Sequence, residues 1–151
     1  MNVPFDIERM IEKLVIQVPQ GHLEGLDLIM LVDQVKRKKK QDIKGYYWPK
    51  TEEEPAKIEL AVDVIFFGKP KIVFYLPVVA RYLLADVLYY EIGLHYQRIA
   101  PGASQKARQN FAEGYKNLML QKSFFGWRLF MLPLSPMIYL LNKIIQTKNA
   151  K

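Results

Sequence analysis

Glu91 and His95 stand four residues apart in the stretch VLYYEIGLHYQRIAP, residues 87–101, and Glu113 follows eighteen positions later. A carboxylate and an imidazole at that spacing share one face of a helix. A carboxylate can act as a general base, and an imidazole as a proton carrier or metal ligand. Few other donors are at hand, because the chain has two histidines, His22 and His95, and no cysteine. The absence of cysteine also excludes disulfides, a thiolate nucleophile and a cysteine zinc site. Neither histidine adjoins a nucleophile elbow, and EGLDL and FGKPK lack the spacing of a phosphate-binding glycine loop.

A second group is electrostatic. The run VKRKKKQD, residues 35–42, places Lys36, Arg37, Lys38, Lys39 and Lys40 in succession on a chain of net charge +7. Such a run can contact nucleic acid phosphates or an anionic membrane surface, and Tyr46, Tyr47 and Trp48 nearby could stack bases. A solvated turn beside a half-buried strand explains both features more cheaply. These five basic residues are the anion-binding candidates.

The elements that must position these groups follow from periodicity. From Pro4 to Ile16, apolar Phe5, Ile7, Met10, Ile11, Leu14 and Val15 recur at steps of three and four, which predicts an amphipathic helix. VPQGHLEGL breaks it, and LDLIMLV at 26–32 has the length and density of a strand. IKGYYWP predicts a second short strand. KIELAVDVIFF alternates Ile58, Leu60, Val62 and Val64 with Glu59, Ala61 and Asp63, a period of two that predicts a third strand with one wet face. A long helix is expected over about 77–99, opened by Pro77, and its apolar residues wrap so much of the circumference that it should be central. QKARQNFAEGYKNLMLQKS reads as another helix, and Ser135 and Pro136 begin a last one. The order predicts an α+β fold: a small mixed sheet of about three short strands packed on a central long helix, with extra N- and C-terminal helices. The 151 residues form one domain in this reading, with its core at 26–120 and an apolar helical segment at 124–147.

This order, with the core YEIGL at 90–94, resembles the zincin metallopeptidases, especially the small gluzincin-type members with an HEIGH motif. In that family two histidines of His-Glu-x-x-His hold zinc, the glutamate between them polarises the bound water, and a third ligand comes from the following helix. Glu91 falls on the general-base position, Ile92 and Gly93 match the usual filling, and Glu113 falls on the third-ligand position. Tyr90 and Leu94 stand where the two histidines belong. A leucine has no lone pair, and a phenol is a poor ligand at neutral pH. The resemblance also implies that a peptide lies along the strand preceding the long helix, which here is the alternating one, and could be held there by strand addition.

The sequence therefore predicts a catalytically inactive zincin-like protein, a pseudo-metallopeptidase serving as a binding or regulatory module for a peptide or protein, with no cofactor and no bound metal. One alternative is a metal-dependent peptidase in which zinc is held by a rearranged Glu91, His95 and Glu113; another is a binder of nucleic acid or anionic membrane through 36–40. Glu91 and His95 can also be read as a hydrogen-bonded pair within their helix. The segment 124–147 is expected to pack on the domain, to form a homo-oligomer contact, or to lie at a membrane interface with Trp127 and flanking Lys122 and Lys143. The N-terminal stretch has no basic leader followed by an apolar run, so the expected location is the cytoplasm, with a membrane-peripheral position as the alternative.

Overall fold

Asp6 opens the first helix by accepting a hydrogen bond from the Arg9 backbone N–H at 2.9 Å, and α1 runs from Ile7 to Val15 with Ile11 and Leu14 buried. The computed structural model describes residues 6–33, 35, 43–69, 75–97 and 103–131, with side chains placed as far as Gly126. Within them a one-turn α2, Gln20–Leu23, occupies the stretch expected as a break. The strands are β1 Leu28–Val32, β2 Gly45–Trp48 and β3 Lys57–Ala61; then come α3 Val62–Phe66, α4 Pro77–Gln97 and α5 Gln105–Met131. The fold is α+β, as its element order predicts.

The sheet has the order β1-β3-β2, with β1 parallel and β2 antiparallel to β3. Ile58 and Leu60 of β3 are fully buried and belong to the same core as Leu84, Leu88 and Ile92 of α4. The helix α4 contacts every other described helix and also β2 and β3. Its buried residues cover about two thirds of its circumference, as expected of a central helix, and the partly buried remainder includes Asp86 and Tyr90. Ser104 caps α5 by accepting from the Ala107 N–H at 3.2 Å. The same helix is kinked at Phe124, where φ is −124° and ψ is 20°.

Two expectations need correction. KIELAVDVIFF is not one strand: β3 ends at Ala61, and Val62–Phe66 wind into α3, which folds back against β1 and β3. The supposedly wet side is covered too, with Glu59 8% and Ala61 0% exposed. The second correction concerns strand addition. Because β3 lies between β1 and β2, both of its edges are already hydrogen-bonded, and an added peptide strand cannot pair with it.

The basic run at 36–40 and the last expected helix, within 132–151, lie outside the described residues. No helix among the described residues is long and apolar enough to cross a membrane.

Candidate functional site

Two helices and the first residue of an edge strand enclose a cleft of about 300 Å³. From α4 it takes Asp86, Val87, Tyr90 and Glu91; from α5, Glu113 and Lys116; and from the entry to β2, Lys44 just before the strand and Gly45 at its start. The spacing explains the α4 contribution. Positions 86 and 90, and 87 and 91, are one turn apart and form one stripe.

The walls come close because two glycines stand at the contacts. A Cβ on Gly45 would lie 2.5 Å from Val87 Cγ1 and 3.2 Å from Glu91 Cγ, so only glycine lets β2 approach α4 this closely. A Cβ on Gly93 would lie 2.9 Å from Ala112 Cα, so Gly93 sets the distance between α4 and α5. The glycine of EIG thus has a packing role in this chain.

Glu91 is 6% exposed, and its carboxylate accepts a hydrogen bond from the backbone N–H of Tyr47 in β2. Among the described residues its Oε2 has no hydrogen-bond partner. Burial pushes the carboxyl up to about 7 from 4.5, and the Tyr47 bond offsets only part of that. Tyr90 is also raised, first by burial and then by the charges of Glu91 and Glu113, with Lys116 acting in the opposite direction. Its phenol therefore stays neutral at physiological pH.

Lys116 and Asp86 are the members of the site that sequence reasoning missed. The Lys116 ammonium lies 2.6 Å from Glu113 Oε1 and 3.2 Å from Asp86 Oδ1, joining α5 to α4 across the cleft. Burial lowers its affinity for the proton, but hydrogen bonds to Glu113 and Asp86 outweigh this and raise it above an ordinary lysine. The i,i+3 pairing of Glu113 with Lys116 could have been read from sequence. Asp86 could not, because its partner depends on how the two helices cross.

The structure places the remaining predicted residues elsewhere. His95 is 1% exposed; its Nε2 hydrogen-bonds the Glu24 carbonyl at 3.1 Å, and its ring meets that of Tyr47 edge-on at 5.2 Å between centroids. It does not line the cleft with Glu91 and Glu113. Nor do Glu91 and His95 bond each other: the face they share is turned toward Tyr47, and each has its own partner. Leu94, at the second histidine position, is partly buried outside the cleft lining.

His22 shares a 2.9 Å hydrogen bond through Nδ1 with the Tyr115 hydroxyl, and its ring lies 4.2 Å from that of Tyr96. Burial, then Tyr89 and Tyr96, push the Tyr115 phenol up to about 12, so it remains neutral in this bond. Both histidines thus fasten the α2 segment, residues 20–24, to the long helices. Among the described residues no group of three or more histidines, cysteines, aspartates or glutamates is placed to hold a metal ion.

Compared with protein-family models, curated proteins and solved structures, the chain matches none.

Proposed function

We propose that the chain is a zincin-like domain without peptidase activity, working as a binding or regulatory module whose cleft receives part of a peptide or protein partner. The observation that carries this reading is the Lys116 ammonium, held between Glu113 and Asp86. Where the resemblance would put a metal dication beside Glu113, a lysine already neutralises that carboxylate. A dication about 4 Å from an ammonium would be repelled by about 8 kcal/mol at an effective dielectric of about 20. Tyr90 and Leu94 add no compensating ligand, since one is a neutral phenol and the other has no lone pair.

One observation favours a second reading, a peptidase with a rearranged Glu91, His95 and Glu113 site. A carboxyl titrating at about 7 is matched to general acid–base work. The position of His95 against the Glu24 carbonyl, away from the cleft lining, weighs against it. Elemental analysis of protein purified without chelator, with a peptide hydrolysis assay, tests both readings. The expected result is substoichiometric zinc and no turnover. Stoichiometric zinc that disappears on His95→Ala or Glu113→Ala, together with hydrolysis, would establish the peptidase.

A further inference from the structure

The cleft is one cation short. Its ionisable side chains other than Tyr90 are three carboxylates, Asp86, Glu91 and Glu113, and two ammonium groups, Lys44 and Lys116, an excess of one negative charge when all are ionised. The two carboxylates bonded to Lys116 are the more exposed ones, with 42% and 54% of the Asp86 and Glu113 side chains reaching solvent. Glu91 is the buried one, and among the described residues it forms no ion pair. Its hydrogen bond is the one from the Tyr47 backbone, and among the described residues Oε2 has no donor. Buried carboxylate oxygens are normally satisfied by protein or by ordered water, so an oxygen of Glu91 beside an open cavity is placed to accept from a donor that enters it.

We infer that the cleft binds a primary ammonium group, from a lysine side chain or a chain N-terminus, with Glu91 as its counter-ion. This rests on the reading of the cleft as a binding rather than hydrolytic site, and it names the chemistry of the group received. An ammonium brings the donors that Glu91 lacks and balances the local charge. The terminal torsion of a glutamate is soft, so the carboxylate can turn an oxygen toward the ligand without moving α4. An anionic group is disfavoured, because Lys116 is already shared by two carboxylates. The chain's net charge of +7 does not decide the matter, since charges more than about 10 Å away are largely screened at ordinary ionic strength.

The test is an NMR titration of the ¹⁵N-labelled, metal-free full chain with three probes: Nα-acetyl-lysine methylamide, its uncharged counterpart Nα-acetyl-norleucine methylamide, and glycinamide. The lysine derivative or glycinamide is expected to shift the amides of Gly45, Tyr47 and residues 86–91, and to bind at least tenfold more tightly than the norleucine derivative. Whichever of the two binds tells a side chain from a terminus. Glu91→Gln, with an unchanged circular dichroism spectrum, should weaken the binding at least tenfold. Equal binding of the norleucine derivative, unchanged binding to Glu91→Gln, no shift with either ammonium probe, or shifts clustered away from the cleft would each overturn the inference. The wild-type shift map decides the matter even if the variant does not fold. Zinc and turnover are measured separately, so an inert, zinc-free protein that ignores ammonium groups overturns this inference alone.

Discussion

Lys116 of α5 reaches Asp86 of α4 at 3.2 Å while holding Glu113, one turn away on its own helix, at 2.6 Å. The ammonium is mostly buried and its partners are half exposed, so the network should be worth about 1 kcal/mol rather than the several of a dry ion pair. Lys116→Met is expected to lower unfolding stability by about that amount in urea denaturation. A double-mutant cycle with Asp86→Asn should show a coupling between the two helices. Additivity of the two substitutions would mean the contact carries no energy.

Glu91 makes stability depend on pH in a direction opposite to most carboxylates. Its folded-state value, about 7, is raised above the ordinary 4.5, so the folded chain holds the proton more tightly than the unfolded chain. Stability is then full below about pH 4.5, falls as the pH rises toward 7, and levels off above it, for a total loss of about 3 kcal/mol. Glu91→Gln removes the titration. Between pH 5 and 7.5 the wild type should lose stability relative to this variant, and parallel profiles from urea melts would contradict the assignment.

The two glycines of the helical pair give a contrasting set. Gly93→Ala puts a methyl 2.9 Å from the backbone of α5 at Ala112 and is expected to cost about 2 kcal/mol, despite the better helix propensity of alanine. Gly114→Ala meets nothing within 4 Å and should stabilise by up to about 1 kcal/mol. Thermal melts of the two variants should move in opposite directions.

His95 is placed to matter for stability, and on the proposed reading it holds no metal. His95→Ala empties a fully buried site and removes the bond to the Glu24 carbonyl, with an expected cost of about 3 kcal/mol. The zinc content of the purified protein should be the same before and after.

The long helix was legible because two independent signals agreed on it, a proline at its first position and apolar residues on every side of α4. The end of β3 was not. Ile58, Leu60, Val62 and Val64 fit a period of two, while Val62, Ile65 and Phe66 fit a helix equally well, and five residues are too few to separate the patterns. The central place of β3 was hidden for a different reason, since strand order is decided by long-range pairing that local sequence does not encode. At the site, Glu91 and Glu113 were singled out by the resemblance of YEIGL to a zincin motif and its following helix. Asp86 and Lys116 meet only because Gly93 lets the helices touch, and Tyr47 meets Glu91 only because Gly45 lets β2 lie against α4.

The bond from the Tyr47 N–H to Glu91 bears on how the chain behaves in a crowd. Unclaimed amides along a sheet edge are templates on which a second molecule can extend the sheet, the first step toward an aggregate. On β2 the long helix supplies the acceptor for one of those amides, and Gly45 brings the strand close enough for the bond to form. A residue that looks like the remnant of a reaction thereby also removes one amide from that edge.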